Sequence, residues 1–244
     1  MKIRKIGITD SGGFVGSHLS TALEGAGFEI IGINLKDLIG PGKALKKFVK
    51  NSDLIIHAAD LKRGESAEII AGGVSATLNL LSALKGARKS LIFLSSTQAG
   101  ADSVYGKSKA LAEKLISDFS AKSGTPAVVL RLPSMFGEGK NPFYSSVVAT
   151  FCYQIQHGQK PSIDPKSRNK KINLIYIGDA VRAIANEVGT KNLHPLLFKS
   201  IKATNSISIQ KLADLLLSFK NNKASGKSKF YKDLYRTYLS YAKS

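Results

Sequence analysis

In the stretch VYGKSKALAEK, Tyr105 and Lys109 stand four residues apart, so on a helix their side chains share one face, one turn from each other. A phenol with an unperturbed pKa of about 10 is a poor acid or base at neutral pH, and a neighbouring ammonium improves it by favouring the phenolate. Lys109 would supply that field. Upstream, LIFLSSTQAG ends an apolar run in Ser95, Ser96 and Thr97, three hydroxyls at the carboxyl end of what reads as a core strand. A hydroxyl, a phenol and an ammonium together form a proton-transfer set for interconverting a carbonyl and an alcohol. An ordinary amphipathic helix with lysines in water has the same spacing, so the strand before it carries much of the argument.

A second stretch, ITDSGGFVGSHL, sets Gly13 and Gly16 three apart between an apolar run and a helical pattern. At such a place the backbone can approach a diphosphate and the first amides of a helix can face it. A tight turn with no ligand would use the same glycines.

For the two stretches to meet, the elements around them must form a parallel sheet. The sequence predicts strands at Lys5–Thr9, Glu29–Ile33, Asp53–His57, Leu91–Leu94 and Ala127–Leu130, with helices at Phe14–Leu23, Gly40–Val49, Val74–Lys85 and Tyr105–Lys122. This alternation predicts an α/β fold, a Rossmann-like doubly wound parallel sheet covered on both faces, over residues 1–132. Both stretches then lie at carboxyl ends of strands, where such folds bind ligands. Residues 133–219 read as a smaller substrate lobe interleaved with the first, with helices at Ser145–Gln156, Asp179–Val188 and Ser208–Phe219 and a strand at Asn173–Ile177. Residues 220–244 read as a polar linker, KNNKASGKSK, and an aromatic tail helix. In that tail Tyr231, Leu234, Tyr235, Tyr238 and Tyr241 recur at helical spacing. The stripe must pack on something, either its own lobe or a second protein.

The bulk composition excludes several classes. At 244 residues and 43% hydrophobic, the chain can bury a core and is not disordered. It has no run of about 18 apolar residues, and MKIRKIGI leads straight into a strand pattern, so a cytoplasmic protein without a membrane partner is expected. The one cysteine, Cys152, cannot form an internal disulfide and is expected to be buried and inert; without a CxxC or HxxxH pair no metal site is expected. The net charge of +19 is spread along the chain with no long block, and no helix-turn-helix, zinc-finger or RRM signature accompanies it. Specific nucleic-acid binding is therefore not expected. An anionic small substrate would gain from the same field.

These motifs together resemble the extended short-chain dehydrogenase/reductase (NAD-dependent epimerase/dehydratase) family, over nearly the whole chain. TDSGGFVG resembles the family's TGxxGFxG turn with Asp10 in place of a glycine, and DLIIHAAD resembles the strand ending in HxAA. GVSATLNLL is similar to NVxGTxxLL, with Gly73 and Ala76 at variant positions, and LRLPSMFGEG is similar to RxxNxxGxG, with Ser134 in place of asparagine. INLIYIGDAVRA matches YVxDVxxA through Asp179. A narrower likeness, in RLPSMFGEGKNPFYSSVVATFCYQI and LYRTYLSYAKS, is to the reductase half of the CapF or WbjC group of capsule enzymes. Those enzymes resemble a fusion of a reductase with a zinc-bearing cupin that epimerises the sugar.

The resemblance implies a role for each matching position. Tyr105 would be the general acid, Lys109 its partner and a ribose contact, and Thr97, or alternatively Ser96, the hydroxyl that holds the sugar carbonyl. The cofactor would lie against Asp10, Gly12, Gly13, Phe14, Val15, Gly16, Asn34, Lys36, His57, Ala58, Ala59, Leu132 and Pro133. The substrate would lie against Ser134, Phe136, Asn141, Tyr144, Lys171 and Asp179. The cofactor expected is NADP(H), with NAD(H) as the alternative: the second strand is followed by Asn34 and Lys36 where NAD users place an acid, although Asp37 stands close by. The implied activity is reduction of a UDP-linked 4-keto-6-deoxy-N-acetylhexosamine, in the synthesis of N-acetyl-L-fucosamine for capsule or O-antigen. Other readings are a nucleotide-sugar epimerase or dehydratase, though Gln98 stands where a dehydratase places an acid, and a silent dinucleotide-sensing or scaffold protein. A homodimer and a separate cupin epimerase are the protein partners the resemblance allows. The carboxylate of Asp10 sets this chain apart, because it would stand beside the diphosphate; aspartate tolerates the left-handed backbone of such a turn better than most residues.

Overall fold

The computed structural model describes residues 3–40, 42–59, 65–188, 196–220 and 228–242. In chain order the elements begin β1 (Lys5–Thr9), α1 (Phe14–Gly25), β2 (Glu29–Ile33), α2 (Leu35–Ile39), α3 (Lys43–Asn51), β3 (Leu54–His57), α4 (Ser66–Ile70) and α5 (Ala76–Leu84). They continue with β4 (Ser90–Ser96), α6 (Val104–Ser123), β5 (Ala127–Leu132), β6 (Ser134–Phe136), α7 (Val147–Gln156) and β7 (Lys171–Tyr176). The last are α8 (Ile177–Val188), β8 (Leu196–Ser200), β9 (Asn205–Ser208), α9 (Ile209–Ser218) and α10 (Lys229–Leu239). Two compact units result, Met1–Leu132 with Val181–Ile201, and Pro133–Ala180 with Lys202–Ser244. The chain therefore leaves the first unit at Leu132, re-enters it within α8, and leaves it again at Ile201.

The first unit is built on a six-stranded parallel sheet in the order β2-β1-β3-β4-β5-β8. β1 pairs with β2 through Ile6↔Ile30 and with β3 through Ile8↔Ile56, so strands are added on one side of β1 and then on the other. That reversal opens a crevice at the carboxyl ends of β1 and β3. Helices cover both faces, which is why β3 is buried at all four positions and β4 at its last six. Ile55, Phe93 and Val129 of the sheet pack with Leu80 and Leu84 of α5 and Ile116 of α6 in one apolar cluster.

The expected strands form, with β4 extending through Ser96 and β5 through Leu132. Three differences have local causes. The predicted helix at Gly40–Val49 forms as α3, and an unpredicted short helix, α2, precedes it, because Asn34 caps α2 by accepting the Asp37 N–H at 2.8 Å and Gly40 ends it in an extended conformation. The predicted helix from Val74 begins earlier, running from α4 through a π turn at Ala71–Ser75 into α5. Gly72 and Gly73 depress helix propensity in that turn and conceal it in the sequence. At Gly73 a Cβ would stand 2.7 Å from Ser108 Oγ on α6, so a side chain there would have to turn that hydroxyl aside. Finally, β8 is a half-exposed edge strand whose short apolar run, LLF, is broken by Lys199.

The second unit has a three-stranded sheet, β6-β7-β9, parallel between β6 and β7 and antiparallel between β7 and β9. Its core joins Phe136 and Leu174 of the sheet to Phe151, Cys152 and Ile155 of α7, Leu212 and Leu216 of α9 and Leu234 of α10. The aromatic tail stripe packs here, on its own unit. Phe219 meets the rings of Tyr231, Tyr235 and Tyr238 at centroid distances of 4.8, 5.2 and 5.5 Å, and Tyr241 donates its hydroxyl to the Lys140 carbonyl. Most of the expected linker, residues 221–227, lies outside the described residues. Burial pushes the Cys152 thiol far above its ordinary range, which leaves it protonated and inert. Among the described residues no helix is long and apolar enough to cross a membrane, and no group of three or more metal-binding side chains gathers.

Leu234 is fully buried, so Leu234→Ala should cost about 2–5 kcal/mol by cavity formation. Urea denaturation checks this: Leu239→Ala, at a position 49% exposed, should cost less than about 0.5 kcal/mol.

Candidate active site

The turn after β1 sits at the crevice and is shaped by two glycines. A Cβ on Gly16 would stand 2.8 Å from the Ser11 Cα, and one on Gly13 would stand 2.7 Å from the Asp10 Cγ. A Cβ on Gly12 would meet nothing, and that residue is exposed. The fold therefore needs glycine at 16, and glycine at 13 leaves room for the Asp10 carboxylate, whereas glycine at 12 leaves the backbone open to an approaching group. Asp10 takes φ +55°, in the left-handed region, with its N–H on the Ile33 carbonyl at 2.7 Å and its own carbonyl on the Gly13 N–H at 2.9 Å. Phe14 and Val15 begin α1 half-buried. This geometry fits a dinucleotide diphosphate, apart from the carboxylate of Asp10.

Beneath the turn, β1 is tied to β3 by a chain of hydrogen bonds whose directions can be assigned. Thr9 Oγ1 accepts the N–H groups of Ala58 and Ala59, both at 2.9 Å, so its proton goes to His57 Nδ1 at 2.9 Å. Thr77 donates to the Gly73 carbonyl at 2.8 Å and therefore accepts from His57 Nε2 at 3.1 Å. His57 is thus neutral, protonated on Nε2 and fully buried. Expected as a cofactor contact, its side chain is instead enclosed by the fold. The amides of Ala58 and Ala59 are likewise committed to Thr9, and of the two only Ala58 is partly exposed. Asn34 is exposed but its Oδ1 caps α2, and Lys36 is exposed in the first turn of that helix. Leu132 and Pro133 are buried, and the Leu132 carbonyl accepts the Thr97 N–H at 2.9 Å.

The proton-transfer set rests on α6. Ser103 caps it by accepting the Gly106 N–H, which starts the helix one residue before Tyr105. Tyr105 is half-buried, and one turn on, Lys109 is 5% exposed, its ammonium 3.1 Å from the Leu94 carbonyl, 4.9 Å from the Phe93 ring centre and 5.9 Å from that of Tyr105. The three strand hydroxyls separate by environment. Ser95 donates to Glu113 Oε1 at 2.6 Å, buried Ser96 accepts the Gln98 N–H at 3.1 Å, and Thr97 is exposed. Of the three, Thr97 alone is exposed, and Ser96 holds the turn.

Sequence reasoning missed the next residue on the same face. Glu113 stands one turn beyond Lys109, is equally buried, and receives Arg131 of β5 through two bonds, Nε to Oε1 at 2.9 Å and Nη2 to Oε2 at 2.6 Å. That pairing raises the arginine's pKa further. The signal was present as the four-residue spacing of Tyr105, Lys109 and Glu113, and as a lone arginine inside the apolar run AVVLRL.

The residues expected to touch substrate all lie in the second unit, and they do not form one cluster. Lys171 opens β7 and Asp179 follows its end, about 16 Å or more away at the rise of a strand. Phe136 is a core residue, 1% exposed. Asp179 accepts the Lys229 ammonium at 2.6 Å, in an ion pair shared with Asp233 that anchors α10. Ser134 and Asn141 are exposed and Tyr144 is half-buried. A cavity of about 250 Å³, lined in part by Phe136, Tyr176, Asp179, Asn205 and Lys229, lies at the Asp179 end.

The NAD dependent epimerase/dehydratase family matches residues 6–186. The chain belongs to this family. A UDP-2-acetamido-2,6-beta-L-arabino-hexul-4-ose reductase from Pseudomonas aeruginosa is 32% identical, over 97% of this chain and 64% of its own length. The crystal structure of the capsular polysaccharide assembling protein CapF from Staphylococcus aureus superposes with a TM-score of 0.80 at 30% identity, over 98% of this chain and 66% of that one. This chain therefore spans about two thirds of the length of either relative. A UDP-glucuronic acid 4-epimerase from Bacillus cereus, solved with UDP-glucuronic acid and NAD, superposes with a TM-score of 0.85 at 18% identity over 97% of this chain and 98% of its own, which shows the shared fold. In a family named for its dinucleotide, the Thr9–His57–Thr77 chain supports the ground on which that cofactor would rest.

Replacing Thr9 by valine keeps the shape but strands two amides and the His57 ring nitrogen. It should cost about 2–4 kcal/mol, and Thr9→Ser should restore most of it. Urea denaturation of the three proteins at equal m-value checks the expectation.

Proposed function

We propose that the chain is an NADPH-dependent reductase of a UDP-linked 4-keto-6-deoxy-N-acetylhexosamine, acting in synthesis of N-acetyl-L-fucosamine for capsule or O-antigen. The observation that carries this reading is the pairing of Tyr105 with buried Lys109 on one face of α6, in the same unit as exposed Thr97 and the glycine turn. The 32% identical relative named as a 4-keto sugar reductase supports the substrate class.

The residues present divide the work. Gly12, Gly13 and Gly16 with the N-terminus of α1 would hold the diphosphate, and Lys36 would pair with a ribose 2′-phosphate. When bound, the nicotinamide supplies the hydride that goes to C4 of the sugar. The Thr97 hydroxyl would hold the 4-keto oxygen by donating a hydrogen bond to it. As negative charge develops on that oxygen, the Tyr105 hydroxyl delivers the proton that completes the alcohol. The Lys109 ammonium, fixed by the Leu94 carbonyl, stabilises the phenolate left behind. One hydride and one proton together convert the ketone to the alcohol.

Incubating the protein with the UDP-4-keto sugar and either reduced cofactor, and following loss of reduced-nicotinamide absorbance, tests the reading. Tyr105→Phe should lower kcat by roughly two to four orders of magnitude while changing the dinucleotide Kd by less than about twofold. Lys109→Ala should damage both. Turnover near that of the native protein in Tyr105→Phe would remove Tyr105 as the acid, and tighter NADH than NADPH binding would overturn the choice of cofactor.

A further inference from the structure

We infer that Asp10 is a built-in anion that competes with the dinucleotide diphosphate for the N-terminus of α1, and so sets how tightly the cofactor is held. This rests on the dinucleotide reading above. The backbone of Asp10 is pinned at both ends, by Ile33 and by Gly13, in a left-handed conformation. Its side chain is directed accordingly: the carboxyl carbon lies against Gly13, where a Cβ would approach it to 2.7 Å. Gly13 is the N-cap of α1, and it brings no capping side chain; the first turn holds no acidic residue either. The partial positive charge of that helix end therefore has the Asp10 carboxylate beside it.

A diphosphate docking on the same amides meets a like charge at short range, and the cost is largest where water is excluded. The half-exposed side chain can give way, but the attraction it gives up is subtracted from the cofactor's affinity. Weak retention suits the chemistry proposed. A reductase spends its hydride in each turnover and must exchange the oxidised dinucleotide for a reduced one, so a loosened grip on the diphosphate favours release. Gly12 leaves the outer wall of the turn open for that exchange.

The test measures NADPH and 2′-phosphoadenosine binding to the native protein, Asp10→Asn and Asp10→Gly by calorimetry, with NADP⁺ dissociation followed by stopped flow. Both variants should bind NADPH on the order of tenfold tighter and release NADP⁺ correspondingly more slowly. 2′-Phosphoadenosine lacks the diphosphate and should bind all three proteins alike. If the native protein binds NADPH and both variants bind it equally or more weakly, the inference is overturned. Equal tightening of 2′-phosphoadenosine overturns it too, since the effect would then not lie at the diphosphate. If none of the three binds any nicotinamide dinucleotide, the cofactor reading itself fails, and the inference with it.

Discussion

Two buried charges on α6 hold the first unit's chemistry in register. Lys109 and Glu113 are one helical turn apart and each 5% exposed, and they grip consecutive residues of β4: the ammonium takes the Leu94 carbonyl and the carboxylate takes the Ser95 hydroxyl. Burying either charge alone would cost several kcal/mol, and the arrangement is tolerable because each is satisfied and Arg131 neutralises the carboxylate from β5. With the helix clamped to β4 in this way, Tyr105 cannot slide relative to Thr97 without breaking both grips. The geometry of the proton-transfer set is thus a consequence of these two grips and of the Glu113–Arg131 ion pair behind them.

That network explains what could be read from the sequence and what could not. The strands were legible because a parallel sheet covered on both faces demands continuous apolar runs, and LIIH, LIFL and AVVL stand out as such. β8 was not, because an edge strand is half wet and its run is broken by Lys199. Tyr105 and Lys109 were legible from their spacing. Whether Ser95, Ser96 or Thr97 carries the free hydroxyl was not, because three adjacent hydroxyls differ only in where the fold turns them. The internal partners of His57 and Asp179 were not legible for the same reason. Both are polar residues at the edge of a motif, and the fold commits both to internal partners, Thr9 and Thr77 in one case and Lys229 in the other. A polar side chain beside a ligand site and one that braces it look alike in one dimension.

The second unit depends on its tail. α10 supplies Leu234 and Tyr238 to the core, while its Lys229 reaches back to Asp179 at the start of α8 and its Arg236 donates to the Tyr176 hydroxyl at 3.3 Å. Desolvation, chiefly, and also the Glu138 carboxylate raise the Tyr176 pKa, so that hydroxyl stays protonated and donates to Glu138 at 2.8 Å. Tyr176, Asp179 and Lys229 also line the cavity, whereas the rings around Phe219 belong to the apolar core. A tail that looks like an appendage by composition is a load of apolar surface this small sheet cannot do without.

Glycine shows most clearly why a motif needs a structure. Gly7, Gly16 and Gly32 are all places where an added Cβ would collide with Ser52 or Ser11, so packing alone requires them. Gly12 is under no such demand, and its backbone conformation is open to other residues. Two glycines of one turn therefore answer to different pressures, close packing at Gly16 and access at Gly12. It follows that the glycine pattern by itself would survive in a turn that bound nothing. What distinguishes this turn is the residue the packing does not need, together with its place at the point where the sheet changes direction between β1 and β3.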